Sequence, residues 1–202
     1  MARSREDSLL QSQHGARIFD DRQGYGLVSR GLHWLMAALF AWQFTGALIH
    51  LLAPQSGARQ LFWPTHTTVG FTLLLLVLLR GAWGLANARH RPQQASRRLG
   101  RAAAIGHLMI YALMVAVPTL ALVRTYGGGR AFSYFGLTVF GATGNRVPEL
   151  MAPGNALHGP LGWTLCALIL GHIAMSFVHR FAWREDVIGP MTRGRRQALA
   201  EG

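Results

Sequence analysis

The sequence predicts an all-α membrane protein, a four-transmembrane-helix bundle with metal-ligating side chains turned into its core. Three observations predict it. Half of the 202 residues are apolar, and they gather in four runs each long enough to cross a hydrocarbon layer about 30 Å thick. The arginines gather between those runs. Histidines recur inside the runs at spacings that return to one helix face.

Charge narrows the function classes. The formal charge is +12, from 20 arginines against 8 acids, with no lysine at all. A basic excess can mark a nucleic-acid binder, but here the arginines flank apolar runs and mean hydropathy is positive, so the expected partner is membrane lipid and not nucleic acid. The single Cys166 lies within an apolar run, which excludes a disulfide framework and a thiolate zinc site. The first 30 residues hold no apolar stretch of signal-peptide type.

In chain order, residues 1–24 read as a polar, mobile, cytoplasmic leader in which His14 is solvated. Residues 25–184 form the spanning domain, and 185–202 an Arg-rich cytoplasmic tail. The first span covers about 32–52 and is opened by Arg30-Gly-Leu-His33-Trp34, where Arg30 and His33 share a face and Trp34 suits the interfacial belt. The second covers about 66–85, with Pro64 fitting the first turn of a helix just ahead of His66 and with Arg80 fourteen residues further on. The third covers about 102–123, with His107 near its start. Arg124 to Leu157 reads as one long connection: a triple glycine, a half-apolar piece (Phe132 to Phe140) too short to span and expected at the interface, then turn residues up to Pro153-Gly154-Asn155. The fourth span covers about 158–183.

The leader, the second-to-third connection and the tail carry 15 of the 20 arginines. The positive-inside rule then places both termini of this multi-pass membrane protein in the cytoplasm.

That topology sorts the histidines by depth. His158 and His172 are 14 residues apart in a segment free of acids, Asn and Gln. Fourteen steps return to within about 40° of the starting direction and advance about 21 Å, so the two lie on one face near opposite edges of the membrane. His66 and His158 begin returning spans on the outer side; His33 begins an outgoing span on the inner side, at the depth of His172. An ionisable group inside a span is costly and reads first as functional. Two facing imidazole pairs in a bundle core are what six-coordinate haem b needs: His66 with His158 for an outer iron, His33 with His172 for an inner one. Neutral imidazoles also need no carboxylate beside the iron. Arg30 and Arg80 are then candidates for haem propionates. His50, 17 residues after His33 and nearly on its face, rivals His66 as the outer ligand. Zinc or copper transport is a second reading, against which stands the lack of acids and thiols in the spans. Two further intramembrane or boundary histidines, His107 and His179, have no iron assigned.

The run Tyr25-Gly-Leu-Val-Ser-Arg30-Gly-Leu-His33-Trp34, the His66-Thr-Thr-Val-Gly70 start of the second span, Arg80, Gly106-His107-Leu-Met-Ile-Tyr111, Phe135-Gly-Leu-Thr138 and the spacing His158…His172…His179 together resemble the bacterial cytochrome b561 family. The likeness extends from about Tyr25 to Trp183. It implies a four-helix bundle with two haems b, and ligand pairs that match the depth argument. It also implies a superoxide oxidase-like activity: superoxide, or another small donor, gives an electron at the outer haem and ubiquinone is reduced near the cytoplasmic side. Arg59, Arg124, Arg130 and Arg146 on the outer side against the lone Glu149 would steer a small anion. His107 and His179 would then serve a quinone site through hydrogen bonds or protons. The contrasting expectation is a cytochrome b anchor subunit that passes electrons between a partner dehydrogenase or hydrogenase and quinone.

Overall fold

The structure, a computed structural model, describes residues 18–22, 24–90 and 97–194. The leader as far as residue 17, with His14, and the tail beyond residue 194 lie outside the described residues. Six helices are present among them: α1 (Leu27–Leu52), α2 (Gly57–Phe62), α3 (His66–Ala86), α4 (Arg97–Gly127), α5 (Pro148–Phe177) and α6 (Gly189–Thr192). Two short strands, β1 (Phe132–Tyr134) and β2 (Leu137–Phe140), pair antiparallel. Four helical stretches are long and apolar enough to cross a membrane: Leu27–Leu52, Gly57–Ala86, Gly100–Gly127 and Pro148–Ala182. Many of their large apolar side chains are exposed, among them Leu75, Leu78, Leu79, Leu108 and Leu170, as spans facing lipid require.

The chain divides into two compact units. The larger holds residues 35–79 and 95–175. Its core draws on every span: Met36 of α1, Leu73, Leu74 and Val77 of α3, Met114 of α4 and Leu165 of α5. Leu73, Leu74 and Val77 lie at the i, i+1, i+4 positions that put one apolar stripe of α3 inward. Pro64 sits in a 3-10 turn, Trp63–Thr65, which delivers the chain into α3 at His66. The missing N–H of proline costs nothing there.

The connection expected from Arg124 to Leu157 is much shorter. Helix α4 runs on to Gly127 and α5 already starts at Pro148. Pro148 has its φ preset for a first turn and Glu149 complements the helix dipole. Pro153, which read as a turn residue, and Pro160, near the start of the expected fourth span, both lie inside α5 at the loss of one backbone bond each. Packing outweighs that loss. Gly154 is buried, and a Cβ there would stand 2.6 Å from the Leu120 carbonyl oxygen and from Arg124 Cβ, so only glycine lets α5 lie this close to α4. Between the helices the half-apolar piece folds as the β1–β2 hairpin. Phe135 (φ 46°) and Gly136 (φ 84°) form its two-residue turn, both in the left-handed region that a tight primed hairpin turn needs. Phe132 and Tyr134 pack edge-on against Phe71 at 5.2 and 4.9 Å, and the Tyr134 hydroxyl lies 3.0 Å from Thr72 Oγ1.

The smaller unit holds residues 1–34, 80–94 and 176–202. Two buried carboxylates tie its described part together. Asp20, at the end of the leader, accepts hydrogen bonds from Gly26 N (2.9 Å) and Ser29 Oγ (2.8 Å), and Trp83 Nε1 donates to Ser29 Oγ (3.1 Å). Gly26 is required there, because a Cβ would run into the Ile18 carbonyl. Asp186 accepts from Gly189 N (2.8 Å) and Arg193 (3.2 Å) and pairs with Arg180 at 3.5 Å. Buried acids persist only when paired in this way.

Candidate functional site

The larger unit brings His66 and His158 together. Their ring centres are 6.2 Å apart and their planes are inclined by 74°. His66 opens α3, and both rings are half-buried. His158 Nδ1 lies 3.0 Å from the Val117 carbonyl oxygen of α4. A carbonyl can only accept, so Nδ1 carries the hydrogen and Nε2 keeps a lone pair. That is the tautomer and the fixed orientation of a metal-ligating histidine. His66 buries its Nδ1 with no partner among the described residues, so this imidazole has bonding capacity left inside the site. Its backbone is held too: Gln43 Nε2 of α1 donates to the His66 carbonyl at 3.0 Å.

These residues fit a haem iron. Two imidazole–metal bonds of about 2 Å in line, with the ring radii added, put the ring centres about 6 Å apart. The observed separation meets that distance. The donor set, two neutral imidazoles without a carboxylate, suits haem and not a hard cation.

His50 is arranged differently. Its ring stacks on Trp63 at 3.5 Å, nearly parallel, and its Nδ1 accepts from Arg59 Nε at 2.9 Å. In the neutral ring the hydrogen then sits on Nε2, which removes the lone pair a ligand needs. Trp63 in turn contacts the His66 ring at 4.9 Å. Of the two rivals, His66 is the one whose ring meets His158, while the His50 ring stacks on Trp63.

His172 lies half-buried in α5, and its ring meets that of His107 of α4, with centres 5.0 Å apart. His107 is exposed, and its Nδ1 stands 2.6 Å from the Ala103 carbonyl one turn back. That contact leaves its Nε2 as the available nitrogen. His33 belongs to the smaller unit, half-buried next to Trp34.

The smaller unit also holds Arg30, Arg80 and His179. The Arg30 guanidinium donates to the Thr192 carbonyl, while its Nε is buried without a partner among the described residues. Such an orphaned N–H suits a carboxylate that is not part of the protein. Arg80 is half-buried near the end of α3. His179 sits in a π-helical turn, Val178–Ala182, and pairs through Nδ1 with Glu185 Oε2 at 2.8 Å. The edge of Trp183 closes on the same ring at 4.5 Å. Single π turns often mark functional positions because they re-aim one side chain.

Two residues make contacts that the sequence reading does not show. Gln43 carries no spacing signal; it is one amide in an apolar run. Arg124 reads as a loop arginine, yet it lies in the last turn of α4 with Nε buried and no partner among the described residues.

Four long apolar helices with a facing histidine pair between two of them define a membrane electron-transfer protein of cytochrome b type. The family model for prokaryotic cytochrome b561 matches residues 24–194. The chain belongs to that family, whose members are helical membrane bundles that bind haem b and transfer electrons. It is also similar to cytochrome b561 homolog 2 of Escherichia coli (strain K12), with 26% identity over 169 residues, covering 83% of this chain and 90% of the relative.

Proposed function

We propose that the protein is a di-haem cytochrome b that oxidises superoxide on the periplasmic side of the bacterial inner membrane and reduces ubiquinone near the cytoplasmic side. The observation that carries this reading is the facing of His66 and His158 at 6.2 Å, with the Nε2 lone pair of His158 set by the Val117 carbonyl. The second haem rests on the depth that His33 and His172 share in the sequence. When bound, haem supplies an iron that accepts and releases single electrons.

Overall, two superoxide anions each lose one electron and leave as dioxygen, and one quinone takes up two electrons and two protons. The chain supplies orientation, steering and protons. The Val117 carbonyl orients the His158 imidazole, and the Gln43 amide holds the His66 backbone in place. Arg59, Arg124, Arg130 and Arg146 draw a small anion toward the outer end. At the inner end His179, oriented by Glu185, and His107, oriented by the Ala103 carbonyl, each present Nε2 for a hydrogen bond or proton to a quinone. Arg30, with its unfilled Nε–H, and Arg80 serve haem propionates.

The test is a visible spectrum of detergent-purified, oxidised protein during exposure to a superoxide-generating system and ubiquinone. Rapid appearance of reduced b-type bands with accumulating quinol is expected. Haem that stays oxidised until a second subunit or another donor is added would replace this reading with that of an electron-carrying anchor. Ala in place of His107 or His179 should slow quinone reduction while leaving haem reduction intact.

A further inference from the structure

Arg124 is half-buried at the end of α4, and unlike the half-buried Arg59, which donates from Nε to His50, it has no such acceptor. Its Nε–H is buried with no acceptor among the described residues. A guanidinium N–H buried without a partner is costly, so the position calls for an acceptor that is not a protein atom. The side chain cannot drift away, because its Cβ and Cδ lie against Gly154 of α5 where any other residue would clash. Gly154 is four residues, or about 6 Å along the helix, ahead of His158. On α4, Val117, whose carbonyl orients His158, is two turns from Arg124. One helix crossing therefore fixes both the outer imidazole and this guanidinium.

We propose that Arg124 is an anion-binding side chain of the outer histidine site, its buried Nε–H held for a single carboxylate or small oxyanion seated beside His66 and His158. The shared chemistry is a charge-assisted hydrogen bond to an anionic oxygen. Two sources offer one, a propionate of the outer haem and a small anionic electron donor. The inference rests on His66 and His158 being the outer site, and it names a residue whose failure would leave that site standing.

The experiment uses the purified holoprotein with Arg124→Gln and Arg124→Lys. Haem content, the midpoint potential of each haem, and reduction rates by the anionic donor dithionite and the neutral donor tetramethyl-p-phenylenediamine are measured. If the acceptor is a propionate, Arg124→Gln shifts the outer haem potential, or releases that haem while Arg124→Lys keeps it. If it is a small anion, Arg124→Gln leaves the potential in place and slows dithionite about tenfold or more, the scale of one charged hydrogen bond, with the neutral donor unaffected. Wild-type potentials and rates for both donors in Arg124→Gln would overturn the proposal. So would loss of the outer haem from both variants, since Lys keeps the charge and the loss would then report packing on Gly154. His66→Ala or His158→Ala retaining every haem would instead remove the underlying site.

Discussion

The rings of His66 and His158 face each other at 6.2 Å, and the Val117 carbonyl fixes which nitrogen of His158 is free. Helices α3 and α5 thus each contribute one ring of a closely spaced histidine pair. The pair is held by a third helix, α4, through the Val117 carbonyl.

His50 provides the internal control for that pair. It lies near the same end, but its Nδ1 accepts from Arg59 and its ring lies flat on Trp63. His50→Ala should therefore keep the wild-type haem content and reduced spectrum, whereas His66→Ala loses a haem. Pyridine haemochrome assays on the two variants side by side decide between them.

Gly154 holds the α4–α5 crossing on which both His158 and Arg124 depend. Gly154→Ala places a methyl 2.6 Å from a carbonyl oxygen and from Arg124 Cβ. The helices must separate, at a cost of about 1–3 kcal/mol. The expected result is a lower midpoint for thermal loss of the haem spectrum in detergent, with partial haem loss already during purification.

The hairpin turn should face lipid. Phe71 and Thr72, which anchor it, are five and six residues past His66, about 140° and 240° around α3, so the hairpin packs on the face of α3 away from the histidine. Phe135 is 80% exposed and Leu137 73%, and the apolar face continues through Leu75, Leu78 and Leu79. In liposomes, a fluorophore on Phe135→Cys in a Cys166→Ser background should be quenched by brominated lipid and not by aqueous iodide. Quenching by iodide would place the turn in water, and quenching by neither would place it under protein.

Much of this was legible in the sequence, and the exceptions have physical causes. Four apolar runs and the arginine pattern give the spans because lipid permits few other solutions. The His66–His158 pair is legible because depth can be counted along helices of known rise. The early start of α5 is not, since Pro153, Gly154 and Asn155 look like a loop until the Gly154–Leu120 contact shows what favours a helix there. Arg124 is hidden for the same reason: the residues that bury it come from α5. Asp20 and Asp186 look solvated in polar stretches, and their burial depends on partners such as Ser29, Gly189 and Arg193 brought in by folding. Propensity is a weak guide wherever such distant contacts decide the outcome.

The most direct measurement is the number of haems b per polypeptide in wild type, His66→Ala and His158→Ala, each checked for retained helicity. Two in wild type and one in each variant, with the same haem missing from both, is the predicted result. Equal haem content in all three proteins would contradict the assignment of His66 and His158 as the ligands of one iron.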